Sequence, residues 1–143
     1  MEKNIIILSG GFDPVHKGHI RMFKEAKKIG EVFVGLNSDK WLLRKKAKYF
    51  MPFEERKEIL ESIKYIDLIF DFNDDDDTAC SLINDIYNHY NNGYTIYFGN
   101  GGDRTNQTTP EVEYCKKNNI EMIWGLGGGK IQSSSDLLKK WED

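Results

Sequence analysis

The stretch Ile5-Ile6-Ile7-Leu8-Ser9-Gly10-Gly11-Phe12-Asp13-Pro14-Val15-His16-Lys17-Gly18-His19 decides how this chain is read. Four consecutive aliphatic residues predict a buried first strand, and the glycines that follow predict a turn. Beyond them Ile20, Met22, Phe23, Ala26 and Ile29 recur at helical spacing, which predicts a helix over 20–29. Strand, glycine turn and helix start gather backbone N–H groups and the positive end of a helix dipole at one point. That geometry suits a phosphate. His16 and His19, three residues apart at the helix entry, fall on one side of the first turn. Gly18 between them lets a ligand come close to the backbone. The stretch predicts a polyphosphate site with two imidazoles aimed at it.

Outward from this point, short apolar runs alternate with helical patterns. Strands are predicted at 5–8, 32–36, 66–70, 94–98 and 122–124, and helices at 20–29, 53–63, 78–90, 111–118 and 135–141. Regular alternation predicts an α/β fold: a doubly wound, Rossmann-like, five-stranded parallel sheet covered on both faces. Ligands of such sheets sit at the carboxyl ends of the strands, at a switch point. Pro52 with Glu54 and Glu55, and Pro110 with Glu111, mark helix starts, while Gly30 and Gly93 mark helix ends. The acidic run at 74–77 reads as a solvated loop able to cap the next helix. Consecutive aspartates point in different directions, which argues against a metal site there. Neither a repeat nor a linker interrupts the pattern, so one domain over 1–143 is expected.

Composition narrows the function classes. With 143 residues, 39% hydrophobic and 30% charged, the chain is long enough for one real core and reads as globular. Its net charge of −3 offers no bulk attraction to nucleic acid or to an anionic membrane. An anionic ligand must therefore be held by local cations and backbone dipoles. The N-terminal residues do not resemble a signal peptide, and no run approaches membrane-spanning length, so the cytoplasm is expected. Cys80 and Cys115 form no C-x-x-C and read as free thiols in helical patterns.

The run from Gly10 to His19 resembles the H-x-G-H signature of the nucleotidylyltransferases, and the likeness extends along most of the chain. Gly35-Leu36-Asn37-Ser38-Asp39 is similar to that family's second-strand exit. Arg44-Lys45-Lys46 and Pro52-Phe53-Glu54-Glu55-Arg56 resemble its basic loop and following helix. Lys130-Ile131-Gln132-Ser133-Ser134-Ser135 resembles its hydroxyl-rich turn. Glycerol-3-phosphate cytidylyltransferases and heptose-1-phosphate adenylyltransferases are the most similar branches. Class I aminoacyl-tRNA synthetases carry a related signature, but this chain is far too short for one.

The resemblance implies transfer of a nucleoside monophosphate from CTP or ATP to a small phosphorylated alcohol or sugar, with Mg²⁺ accompanying the triphosphate and no metal ligand assigned to the protein. It implies that His16 and His19 donate hydrogen bonds to the triphosphate as partly protonated imidazoles, and that Lys45 or Lys46 binds phosphate. Nucleotide contacts are implied at Gly10, Gly11, Phe12, Asp13 and Gly18, at Gly101, Asp103 and Arg104, and at Ser133, Ser134 and Ser135. Arg56 is implied as an acceptor or phosphate anchor or as a structural anchor, against the plainer reading of a pair with a glutamate on its own helix. Where glycerol-phosphate relatives carry an arginine, this chain has Gly127-Gly128-Gly129, with Lys130 as a substitute cation. Trp41 and Trp124 suit either base stacking or packing. A homodimer is expected by analogy. The competing readings are a non-catalytic nucleotide-binding module, which predicts loss of a histidine or of the lysines, and a flavodoxin-like domain, which has no use for paired histidines.

Overall fold

Alternate burial along the first strand sets the architecture. The chain is described here by a computed structural model that covers residues 3–101 and 109–128. In it β1 (Lys3–Gly10) buries Ile5, Ile6, Ile7 and Leu8 in succession, as a sheet covered on both faces requires. Ile5 and Ile7 face a layer made by α4 (Cys80–Tyr90) and α5 (Pro110–Lys117) through Leu82, Ile83, Ile86 and Cys115. Ile6 and Leu8 face α1 (Lys17–Ile29) and α3 (Phe53–Glu61) through Met22, Phe23, Ala26 and Leu60. The other elements are β2 (Glu31–Leu36), α2 (Asp39–Lys46), β3 (Leu68–Phe70), β4 (Tyr94–Gly101) and β5 (Glu121–Leu126).

The strands run parallel in the order β3-β2-β1-β4-β5. The winding therefore reverses between β1 and β4, the place where such sheets take their ligands. The ladders diverge at that place. β1 remains paired with β2 as far as Gly10 and Leu36, whereas its ladder with β4 ends at Ile7 and Phe98. A crevice between β1 and β4 results at their carboxyl ends.

Four expectations need correction. The basic stretch after β2 is the helix α2 and not a loop: Ser38 Oγ accepts from the Trp41 N–H (3.1 Å) as its N-cap, and Ala47, at φ 65°, ends it. The helix after β1 begins at Lys17, three residues earlier than its apolar spacing implies, because His16 caps it. The acidic run is a solvated loop only at Asp75, Asp76 and Asp77, because Asp74 is buried, and it does not cap α4, whose N-cap Ala79 makes no side-chain cap bond. The apolar run at 66–70 yields only a short strand, because the Ile66 N–H turns back to the Ile63 carbonyl. The expected helix at 135–141 lies outside the described residues. No described helix is long and apolar enough to cross a membrane.

Candidate active site

The first turn of α1 holds the two histidines in one rigid arrangement. The Gly18 N–H donates to His16 Nδ1 (3.1 Å), and the His16 N–H donates to His19 Nδ1 (3.1 Å). Each ring thus satisfies an N–H group left over at the helix start. Capping has a chemical consequence: with Nδ1 accepting, the ring proton of a neutral imidazole resides on Nε2. The rings stack with centroids 3.8 Å apart and 24° between planes. A Cβ at position 18 would stand 3.0 Å from His16 Cε1, so glycine there leaves the ring its place. His19 differs from its expected charge state. Burial, then the neighbouring His16 and Lys46, push its pKa from 6.5 to about 3. It is a neutral donor, not a partly protonated one.

The loop between β1 and α1 is anchored by residues expected to touch nucleotide. Phe12, in the left-handed region at φ 49°, is buried and packs edge-on against His19 (4.9 Å) and beside Phe23 (5.4 Å). Asp13 is buried; its Oδ2 accepts from the Phe50 N–H (2.6 Å) and its Oδ1 from the Met51 N–H (2.7 Å). Both side chains build the loop's underside, which leaves the backbone of this loop as the part able to meet a nucleotide. Gly10 and Gly11 remain at the surface of this turn. A Cβ on Gly10 would meet the Phe12 ring at 3.0 Å, and one on Gly11 would meet Leu42 at 2.9 Å.

Arg56 is the largest fully buried side chain, 1% exposed. Its Nε donates to the Met51 carbonyl (2.9 Å), Nη1 to the carbonyls of Gly11 and Asn37 (both 2.9 Å), and Nη2 to Asp39 Oδ1 (2.6 Å). Four of the five guanidinium N–H groups are thus engaged, and they tie the β1–α1 turn, the start of α2 and the entry to α3 together. It is a structural anchor, one of the two roles expected of it, and its partners lie outside its own helix.

α2 carries the lysines. Lys46 is close enough for its charge to hold down the titration of His19, whereas the Lys45 ammonium lies over the Trp41 ring at 5.8 Å. Trp41 is half-buried and lies along Gly11, so its packing role is visible. The start of α2 is clamped by Asp74. Its Oδ2 accepts from Asn37 Nδ2 (3.0 Å) and the Ser38 N–H (2.8 Å), and its Oδ1 from Ser38 Oγ (2.7 Å). Burial raises the pKa of this carboxyl, but those bonds and the nearby Arg44 outweigh it and leave it lowered. Arg44 also donates to the Asp74 carbonyl (2.7 Å) and pairs with Asp77 (3.0 Å).

Gly101 ends β4 against α1, where a Cβ would stand 2.4 Å from Met22 Sδ. Gly127, at φ 83°, donates its N–H to Glu25 of α1, which draws the exit of β5 toward the same turn. Trp124 is half-buried in β5. Asp103, Arg104, Lys130, Ser133, Ser134 and Ser135 lie outside the described residues. Cys80 and Cys115 are free thiols, and burial pushes Cys115 up to about 12. Asn37, Asp39, Asp74 and Asn100 were given no site role by sequence reasoning. Only Asn37 and Asp39 had a signal, as polar residues directly after a buried strand at the ligand end of the sheet. Among the described residues no group of three or more His, Cys, Asp or Glu gathers as a metal site.

Strand order, crevice and paired imidazoles define a nucleotidylyltransferase-type site. The sequence matches the family described as cytidylyltransferase-like over residues 7–137, and the chain belongs to that family. It is 40% identical over 63 residues to a glycerol-3-phosphate cytidylyltransferase of Bacillus subtilis, covering 43% of this chain and 49% of that one. It is 39% identical over 59 residues to an FAD synthase of Archaeoglobus fulgidus, covering 41% of this chain and 43% of that one. The chain thus spans about half or less of the length of these curated relatives. Among solved structures it is similar to a lipopolysaccharide core biosynthesis protein of Thermoplasma volcanium, with TM-score 0.63, 21% identity and coverage of 87% of this chain and 96% of that one. That likeness bears on the fold.

Proposed function

We propose that this protein transfers CMP from CTP to a small phosphorylated alcohol of the glycerol-phosphate kind and releases pyrophosphate. The observation that carries the reading is the stacked imidazole pair at the mouth of α1, its Nδ1 atoms fixed by backbone N–H groups, with Lys46 beside it. A phosphate oxygen of the acceptor attacks the α-phosphorus, the bond to the bridging oxygen breaks, and the electron pair leaves with pyrophosphate. An acceptor phosphate is already ionised at neutral pH, so no strong base is needed. The barrier is repulsion between anions plus charge growing on the leaving group. Nε2–H donors, the helix dipole and an ammonium oppose that charge without reorganising.

Mg²⁺ bound with the triphosphate would supply further charge neutralisation. Asp13 is already engaged with the Phe50 and Met51 N–H groups, and Asp39 through Oδ1 with Arg56, so such an ion would be held chiefly by phosphate oxygens and water.

AMP transfer from ATP is the second reading. The likeness to an FAD synthase supports it. The test is a pyrophosphate-release screen with CTP and ATP, each against glycerol 3-phosphate, heptose 1-phosphate, phosphocholine and related monoesters. One pair is expected to turn over, and His16→Ala and His19→Ala are each expected to lower its kcat by about 10²-fold or more. Binding of triphosphate without turnover on any acceptor would favour the non-catalytic module instead.

A further inference from the structure

β4 carries a buried donor with nothing to bond. Asn100 lies between Gly99 and Gly101 near the strand's carboxyl end and is 8% exposed. Among the described residues its Nδ2 is the only buried side-chain nitrogen or oxygen without a hydrogen-bond partner. Folded proteins seldom keep such a group unless something outside the chain completes it.

Its position indicates what that is. Ile96 and Phe98 pack into the layer formed with α4 and α5, while a Cβ on Gly99 would meet Leu8 and Leu126, and one on Gly101 would meet Met22, of the opposite layer. The two-residue period of a strand puts Asn100 on the α4 and α5 side. It follows the last β1–β4 pair and sits where the register of β4 with β5 shifts, between Gly99 and Gly101. Irregularities of this kind re-aim a side chain beside a site. Asn100 therefore borders the β1–β4 crevice across the sheet from α1 and its imidazoles. A neutral amide suits an uncharged acceptor atom, while the imidazoles and Lys46 serve the phosphates.

We propose that Asn100 recognises the nucleoside half of the bound triphosphate, its buried Nδ2–H donating to an oxygen or ring nitrogen of the base or ribose. The proposal rests on the nucleotidyl-transfer reading and deepens it. Titration calorimetry of the full chain with CTP, ATP and inorganic tripolyphosphate, each with Mg²⁺, tests it without requiring turnover. In Asn100→Ala and Asn100→Ser the favoured nucleoside triphosphate is expected to bind about tenfold more weakly. Tripolyphosphate, which has no nucleoside, is expected to bind as in the wild type. The melting temperature of ligand-free Asn100→Ala should not fall, because the group removed was unsatisfied. Unchanged nucleotide affinity in both variants, or equal weakening toward tripolyphosphate, overturns the assignment. A wild type that binds neither ligand overturns the nucleotidyl-transfer reading itself.

Discussion

At the scale of single residues, His19 couples charge to stability in a direction that can be measured. The folded chain holds it neutral down to about pH 3, whereas the unfolded chain takes up a proton below 6.5. Acid therefore favours the unfolded state, and stability is lost as pH falls from 6.5 toward 3. Urea unfolding of the ligand-free protein is expected to show a loss on the order of 1–2 kcal/mol between pH 7 and pH 5. His19→Gln, which keeps an acceptor for the His16 N–H, should flatten that window. Asp74 has the opposite kind of shift: its lowered pKa stabilises the fold above its ordinary 3.8 and is lost only at more acid pH, so it does not contaminate the measurement. A wild-type curve flat from pH 7 to pH 5 would mean that the ring is solvated and protonates freely.

At the scale of elements, α2 turns a basic stretch into a directional device. Asp39 in its first turn and Arg44, Lys45 and Lys46 in its last follow the charge order that a helix dipole prefers. Ser38 at its start was the readable sign of a helix, and it was obscured because cations outnumber apolar residues in the segment. Helical geometry then separates two lysines adjacent in sequence. Lys46 affects His19, and Lys45 rests on Trp41. Lys46→Ala is expected to reduce kcat/KM by about 10²-fold, and Lys45→Ala by less than about tenfold. Steady-state pyrophosphate release at fixed ionic strength measures both. Equal losses would place both ammonium groups on the triphosphate, and the reverse order would exchange their roles.

At the scale of the whole molecule, legibility followed the range of the signal. Strand and helix periodicities are local, so the five strands, the described helices other than α2 and the position of His16 and His19 at a helix mouth could be read from spacing alone. The anchoring of the site could not, because it joins residues far apart in the chain: Asp13 reaches Phe50 and Met51, Asp74 reaches Asn37 and Ser38, and Arg56 reaches Gly11. No spacing rule encodes which buried carbonyl a distant guanidinium will find. Arg56 tests that long-range design most directly. If it serves phosphate, its loss should weaken substrate binding and leave stability unchanged. The geometry predicts the reverse order of effects. Arg56→Met strands the carbonyls of Gly11, Asn37 and Met51 and leaves Asp39 unpaired, which is expected to cost about 3–5 kcal/mol. Arg56→Lys, with a single ammonium in place of a planar fork, should recover only part of that. Urea unfolding without ligand reads the difference, and an unfolding midpoint equal to the wild type in Arg56→Met would return this residue to the substrate. With α2 and the histidine loop no longer tied to one guanidinium, triphosphate affinity in Arg56→Lys should fall as well, as a consequence of the lost anchor.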